Sequence, residues 1–294
     1  MYSEIASNKR KTVFIMFGFL LVAGLLGWVA GQYMDSPSFT IIILFIAAGY
    51  ALFSYFNAGK MAVAISGARQ IEQKDNPRFY RIVENLAITN GMPMPKVYVI
   101  DDPAPNAFAT GRDPDHAIVA ATTGLIEMME DDELQGVMAH EMGHVKNYDI
   151  RVSMIAFALV TAIALISDIL LRSMWFGGNR RSSNRSGGGA IAIIALAAAI
   201  IAPIAATMLQ LAISRKREFL ADATGALTTR YPEGLASALE KIGRYGSVMR
   251  KQSSATAHLF FANPLSGKSF TKWFSTHPPV EERIAKLRGM GDKL

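Results

Sequence analysis

The chain contains no cysteine among its 294 residues, and only 18% of them are charged. Because disulfides and thiolate zinc sites both need cysteine, any metal would have to be held by histidine, aspartate or glutamate. A soluble domain usually carries about 25% charged residues. Together with 51% hydrophobic residues, the shortage of charge favours a protein with membrane segments.

The formal net charge of +6 does not by itself indicate a nucleic-acid partner. The basic residues stand mainly beside apolar runs, as at residues 9–11 and 215–217. Lys and Arg collect at the cytoplasmic ends of membrane spans. We therefore expect contact with a lipid bilayer and no binding of nucleic acid.

Four long apolar runs organise the chain. Residues 12–34 and 38–59 carry no charge and are each long enough to cross a bilayer, so residues 1–59 are predicted to form a transmembrane hairpin. The runs at 152–171 and 190–213 are predicted to form a second apolar helical pair. Each approaches the length of a span, and the alternative is a pair of buried helices in a soluble core.

Two polar stretches, residues 60–151 and 214–294, are predicted to form the two parts of one folded domain. Residues 172–189, rich in glycine, serine and arginine, predict a flexible loop within the second apolar pair. Hydrophobic spacing and turn residues predict helices at 76–90, 122–129, 214–226, 232–245 and 278–287, and strands at 96–100, 106–110 and 116–120.

The most informative motif is HEMGH at residues 140–144. Positions four apart lie on the same face of a helix, so His140 and His144 can both bind one metal ion. Glu141 can take a proton from water activated by that ion, which is the H-E-x-x-H arrangement of zinc peptidases. Asp131 or Asp132 is predicted to cap this helix.

Two histidines leave a zinc ion short of protein ligands, because a catalytic zinc usually has three. The third ligand could be another histidine (His116, His258 or His277) or a carboxylate. Glu218 is the best carboxylate, because Asp222 follows four residues later on the same helix face and could accept the N–H of a ligating imidazole. The alternative is an ordinary amphipathic helix whose charges are solvated or paired with neighbouring arginines.

These motifs resemble a known family. Residues 140–144 together with Glu218-Phe-Leu-Ala-Asp222 look like the paired metal motifs of the M48 metallopeptidases. The order of two spans, a domain, H-E-x-x-H, two further apolar runs and E-x-x-A-D is similar to the membrane-bound heat-shock proteases of that family. Asn-Ala-Phe-Ala-Thr-Gly at 106–111 and His-Pro-Pro at 277–279 are similar as well. The resemblance covers nearly the whole chain.

The resemblance implies an α-helical integral membrane protein with a mainly α (α+β) zincin-like metallopeptidase domain carrying a small β-sheet. It implies one Zn²⁺ per chain, held by His140, His144 and Glu218, with Glu141 as the catalytic base. The implied activity is endopeptidase hydrolysis of protein substrates, unfolded or membrane proteins, in quality control at the bacterial inner membrane.

Two further roles rest on the resemblance. Asn106, Ala107 and Phe108 could lie on an edge strand that binds substrate backbone by strand addition, or on a plain core strand. His277 could stabilise the oxyanion of the tetrahedral intermediate, or could cap and pack before Pro278.

The membrane topology must place all three candidate metal ligands on the same side of the membrane. An even number of crossings must separate residues 140–144 from Glu218, and the basic residues 9–11 place the N-terminus and the site on the cytoplasmic side of a multi-pass protein. The arginines of loop 172–189 disagree with this topology, because the loop would then lie on the non-cytoplasmic side of the membrane, where basic residues are less common.

The competing functional classes are a zinc-binding scaffold or inactive homologue, and a transporter or channel with a chance motif. The sequence makes no prediction of oligomeric state.

Overall fold

The computed structural model describes residues 2–34, 36–156, 158–163, 215–245, 248–250, 259–262 and 278–291. The chain divides into two compact units. The first unit comprises Met1–Asn8, Asn57–Met154 and Ile213–Leu294, and the second comprises Lys9–Phe56 and Ile155–Ala212. The predictions for loop 172–189, for the apolar run 190–213 and for His277 fall outside the described residues.

The two N-terminal apolar runs are helices longer than the sequence patterns indicate. Helix α1 is Tyr2–Met34 and helix α2 is Ser38–Ser66. Helix α1 starts early because residues 2–11 contain neither glycine nor proline. Helix α2 continues until Gly67, whose φ of 71° lies in the left-handed region. Within these helices, Ile5–Val29 and Thr40–Ser66 are long and apolar enough to cross a membrane, by length and composition.

The second unit buries one side of its helices and exposes many large apolar side chains. Phe19 and Tyr50 pack with ring centroids 6.4 Å apart, and the Tyr50 hydroxyl donates to the Ala158 carbonyl over 3.4 Å. A contiguous apolar exterior is unfavourable in water and is expected where lipid surrounds a helix. The exposed side chains include those of Phe14, Phe17, Trp28, Ile41, Phe45, Ile46 and Phe53.

The third apolar run begins as a helix. Residues 149–156 and 158–163 are helical, and the rest of the run lies outside the described residues. Whether residues 152–171 cross the membrane therefore stays a prediction.

A small mixed sheet lies in the first unit. Its strands are β1 (Arg69–Gln70), β2 (Lys96–Ile100), β3 (Ala107–Thr110) and β4 (Ile118–Thr122), in the spatial order β1-β2-β4-β3. Strands β2 and β4 pair in parallel, whereas β1 with β2 and β3 with β4 pair antiparallel. Strand β3 is therefore an edge of the sheet.

The strand predicted at 116–120 is wrong by two residues. Pro114–His116 form a 3₁₀ turn instead, in which the His116 backbone N–H donates to the Asp113 carboxylate over 3.0 Å. Asp113 caps this turn as aspartate does in loops, so strand β4 starts only at Ile118. The two-residue strand β1 has no sequence signature of its own, because its extended form comes from pairing with β2.

Helix α3 (Pro77–Asn90) agrees with its local signals. The Asn76 side chain accepts the Phe79 backbone N–H over 3.0 Å, and Gly91 ends the helix with φ 61°. A short helix, α4, follows the sheet at Thr123–Met128.

Helix α5 (Asp131–Lys146) carries the HEMGH motif, and its predicted cap is wrong. Asp131 and Asp132 lie in the first turn rather than at the cap. Glu130 precedes the helix, and its backbone N–H donates to the Glu133 carboxylate over 2.9 Å as part of a capping box. The capping box forms in preference to an aspartate cap because it satisfies two backbone donors reciprocally, whereas a single aspartate would satisfy one.

Three helices complete the unit: α6 (Arg215–Thr229), α7 (Pro232–Tyr245) and α8 (Val280–Gly291). Helix α5 packs against α3, α6, α7 and strand β3. Its contact with α6 is close, because a Cβ atom at Gly225 would lie 3.0 Å from the His140 backbone nitrogen. Glycine at this position lets the α6 backbone approach the HEMGH helix and brings Glu218 toward the two histidines.

Candidate metal site

The two histidines of α5 and the glutamate of α6 form a compact triangle. The Nε2 atoms of His140 and His144 lie 3.1 Å apart. Glu218 places Oε2 3.8 Å from His140 Nε2 and Oε1 3.4 Å from His144 Nε2. Ligands bound tetrahedrally to one zinc ion are about 3.3 Å apart, since Zn–N and Zn–O bonds are about 2.0–2.1 Å. The three side chains therefore fit a shared zinc ion.

Among the residues that the structure describes, this is the one cluster of three or more His, Cys, Asp or Glu side chains that could hold a metal ion. Their candidate ligand atoms all lie within 4.8 Å of one another. Of the alternative third ligands, His116 is not in the cluster, and His258 and His277 lie outside the described residues.

Asp222 lies directly behind the first histidine. Its Oδ1 atom is 2.8 Å from His140 Nδ1, and both residues are almost fully buried. A carboxylate at Nδ1 holds the proton there and leaves the Nε2 lone pair for a metal. This is the contact that the four-residue spacing of Glu218 and Asp222 suggests.

Arg283 of α8 is a site residue that the sequence analysis misses. Its Nε donates to Asp222 Oδ2 over 2.9 Å, and its Nη2 donates to Asp222 Oδ1 over 2.7 Å. The guanidinium is 1% exposed. A basic residue on a short amphipathic helix normally indicates a solvated face, so the sequence contains no signal that would single out this one.

Asp149 is the second missed residue. Its Oδ2 atom lies 3.1 Å from His144 Nδ1, so both histidines of the motif have a carboxylate behind the ring nitrogen that faces away from the triangle. Asp149 follows His144 by five residues, at the start of the next helical segment, where aspartate is normally interpreted as a helix cap.

The residues predicted to bind substrate lie at the outer edge of the sheet. Phe108 and Phe260 form a β-bridge with their ring centroids 5.2 Å apart, and the Ala107 carbonyl accepts the Phe261 N–H over 2.8 Å. The Asn106 side chain accepts the Ala262 N–H over 3.0 Å and donates to the Ala262 carbonyl over 2.8 Å. Part of this edge is therefore occupied by residues 260–262 of the same chain.

The aromatic side chains of residues 260–262 are buried close to the triangle. Phe260 and Phe261 are 3% and 2% exposed, and the Phe261 ring centroid is 5.2 Å from that of His140. A sequence pattern gives no sign that residues 260–262 pair with residues 106–108, because the two segments are about 150 residues apart.

Comparison with known proteins decides the family. A model of peptidase family M48 matches residues 73–291, which include both metal motifs and strands β2, β3 and β4. The chain belongs to peptidase family M48. The prediction of this family is thereby confirmed.

Relatives of this M48 peptidase match it from end to end. The "Protease HtpX homolog" of Tropheryma whipplei (strain TW08/27) is 57% identical over 294 residues, covering 100% of both chains. The protein of that name from Streptococcus gordonii is 44% identical over 296 residues, covering 99% of this chain and 100% of its own. The similarity to HtpX proteases is therefore also confirmed, and a transporter or channel with a chance motif is excluded.

The crystal structure of S. mikatae Ste24p has the same fold. It superposes with a TM-score of 0.54 at 18% sequence identity, covering 98% of this chain and 67% of that one. The predicted fold class is confirmed: a mainly helical membrane metalloprotease with two candidate membrane helices and a small mixed sheet.

Burial and charge set the proton affinities of this M48 site. Burial raises the pKa of Glu141 to about 7 and lowers the pKa of His140 to about 4. Burial also acts to lower the pKa of His144, but the carboxylates of Glu218 and Asp149 outweigh it and raise that pKa to about 9. Burial opposes ionisation of Asp222, yet His140 and Arg283 hold its pKa well below the usual range.

Proposed function

We propose that this M48 peptidase is a zinc-dependent endopeptidase with one zinc ion per chain. In this proposal His140, His144 and Glu218 hold the metal, and Glu141 is the catalytic base. The triangle of ligand atoms within 4.8 Å of one another is the observation that carries the proposal.

Zinc suits this donor set. Two imidazoles and one carboxylate with no thiolate are a known catalytic zinc combination, and three protein ligands leave the fourth position open. Bound zinc would polarise the scissile carbonyl and lower the pKa of a bound water to about 7. Asp222 and Asp149 would keep the Nε2 lone pairs of the two histidines directed at the metal.

Glu141 has the position and proton affinity of a general base. It directly follows His140 on α5, is 3% exposed, and has a pKa near 7 because of its burial. A base works best when its pKa lies near the working pH. We assign it the removal of the water proton during attack and the delivery of a proton to the leaving amine.

Substrate backbone is proposed to bind along the edge formed by Asn106, Ala107 and Phe108. The outward carbonyl of Ala107 and the side-chain amide of Asn106 already bind backbone groups of residues 261 and 262. These same groups would pair with a substrate strand, so a substrate that used them would have to take the place of residues 261 and 262. His277 is proposed as a donor to the oxyanion.

The proposed setting is a bacterial inner membrane with the active site on the cytoplasmic side. Two candidate membrane helices and the basic residues 9–11 support this orientation. The proposed substrates are unfolded or misfolded membrane proteins, cleaved in quality control. A cytoplasmic site on a membrane-anchored chain would meet such substrates where they leave the bilayer.

Metal analysis joined to a protease assay tests the proposal. Purified wild type should hold one zinc ion per chain and cleave casein, and a chelator should abolish cleavage. Glu218→Ala should lose zinc and activity together, whereas Glu127→Ala, an exposed glutamate on α4, should keep both. Cleavage that persists in chelator would refute a metal mechanism. Zinc binding without any cleavage would favour an inactive scaffold.

A further inference from the structure

The chain reverses sharply just after the second histidine of the motif. Helix α5 ends at Lys146, and Tyr148 adopts φ 62°, in the left-handed region that few residues other than glycine occupy. The Tyr148 N–H donates to the Val145 carbonyl over 3.1 Å. Such an unfavourable conformation persists only where surrounding contacts impose it, and it is often found at functional sites.

The reversal places Asp149 beside His144. Asp149 is 4% exposed, and its Oδ2 atom lies 3.1 Å from His144 Nδ1. The other oxygen, Oδ1, accepts the Asn8 side-chain N–H over 2.7 Å and lies 3.7 Å from Arg217 Nη1. One carboxylate oxygen thus faces the histidine, and the other is held by side chains from α1 and α6.

Asn8 fixes both sides of the reversal at once. Its Nδ2 atom donates to the Asn147 carbonyl over 2.8 Å and to Asp149 Oδ1 over 2.7 Å, so it contacts the residues on either side of Tyr148. Asn8 is 1% exposed although it lies near the start of α1. Buried amides are expected to have defined partners, and these two contacts explain why a polar side chain is buried there.

We propose that Asp149 is a positioning residue for His144, and that Asn8 holds Asp149 in the orientation this requires. The N-terminal end of α1 would then be part of the support of the metal site. The arrangement corresponds to the support of His140, where Arg283 holds Asp222. This inference rests on the proposed zinc function, because it assigns the pair a role in how His144 meets a metal.

Zinc affinity is the direct measure of this role. Loss of the carboxylate behind a ligating histidine weakens metal binding by about 10- to 100-fold. Asp149→Asn should fall in that range, and Asn8→Ala should weaken binding by a smaller factor of about three- to tenfold, since Asp149 remains. Asn8→Asp should weaken zinc binding more than Asn8→Ala, because it would place a second carboxylate against Asp149 Oδ1.

The experiment uses the full-length protein in detergent, with zinc affinity measured by competition with a chelator. The absorption spectrum of the cobalt-substituted protein reports ligand geometry without relying on activity. Asp101→Asn and Asn85→Ala serve as matched controls, because both side chains are exposed, and they should behave as wild type. The thermal midpoint of each zinc-free variant shows whether it is still folded.

A double variant separates positioning from general damage. If Asn8 acts through Asp149, Asn8→Ala should add little to the zinc loss of Asp149→Asn. The proposal would be overturned if Asn8→Ala lowered zinc affinity by the same factor in the wild type and in Asp149→Asn. Wild-type zinc affinity and cobalt spectra in Asp149→Asn would overturn it as well. If the wild type itself bound no zinc, the proposed function would fail instead, so the two failures are distinguishable.

Discussion

Removing Arg283 should leave a buried negative charge without its main partner. Asp222 is 3% exposed and receives two hydrogen bonds from the Arg283 guanidinium. Arg283→Met keeps a long apolar side chain of similar length but removes both donors. Breaking one side of a buried ion pair costs about 3–5 kcal/mol. Because His140 still contacts Asp222 at 2.8 Å, we expect the lower end, about 3 kcal/mol.

Thermal unfolding of the zinc-free protein measures this loss. The family match covers residues 73–291, and for domains of that size 1 kcal/mol shifts the midpoint by about 2–4 °C. Arg283→Met should therefore unfold about 6–12 °C below wild type. The control is Arg244→Met, which removes an ion pair with Glu240 whose arginine is 79% exposed, and it should shift the midpoint by less than about 2 °C.

A second substitution tests the stated cause. In Asp222→Asn with Arg283→Met no buried charge is left unpaired, so the combined loss should be smaller than the sum of the single losses by about 1 kcal/mol or more. Additive losses, or a midpoint for Arg283→Met within about 2 °C of wild type, would refute the view that Asp222 depends on Arg283.

Three other predictions concern the chemistry of the site. Glu141→Gln should retain zinc and lose at least about 100-fold in casein cleavage, because only the base is removed; full activity would exclude Glu141 from the mechanism. Asn106→Ala should raise KM or lower turnover without zinc loss; a lower thermal midpoint with unchanged kinetics would show that Asn106 only holds residue 262. Apparent zinc affinity should rise about tenfold per pH unit from pH 7 to 9, because a His144 pKa of about 9 means that a proton must leave before its nitrogen binds metal. Chelator competition across that range checks this, and a flat profile would contradict it.

Features encoded by neighbouring residues could be predicted well. Helix α7 has the predicted bounds Pro232–Tyr245, and strand β2 has the predicted bounds Lys96–Ile100. Helix α3 lies between Asn76 and Gly91, the two residues that signal its ends. These signals act over three or four residues, so they are visible before any tertiary contact forms.

The two incorrect predictions of element boundaries have a local cause, because neighbouring residues form a different cap or turn from the one predicted. Asp131 and Asp132 are good capping residues, but a reciprocal pair, Glu130 and Glu133, takes the cap of α5. The start of β4 is displaced because Asp113 caps a 3₁₀ turn at Pro114–His116, so that His116 cannot join the strand. At the cap of α5 the sequence contained two plausible solutions, and the one with more satisfied backbone donors formed.

The sequence by itself determined the placement of the two histidines at the centre of the candidate site. HEMGH on a helix places two imidazoles on one face, because positions four apart lie one turn above each other. A helix with glutamate and aspartate four residues apart is compatible with a third ligand, but it is equally compatible with a solvated surface. Only the tertiary structure brought Glu218 to the two histidines, and it did so by packing Gly225 of α6 against α5.

The supporting residues were decided by tertiary structure alone. Arg283 lies 61 residues from Asp222, and Asn8 lies 141 residues from Asp149. No periodicity or short spacing encodes such contacts, because each depends on which surfaces meet when the helices pack. A buried carboxylate needs a donor to compensate its lost hydration, and chain folding, rather than local sequence, selects which donor reaches it.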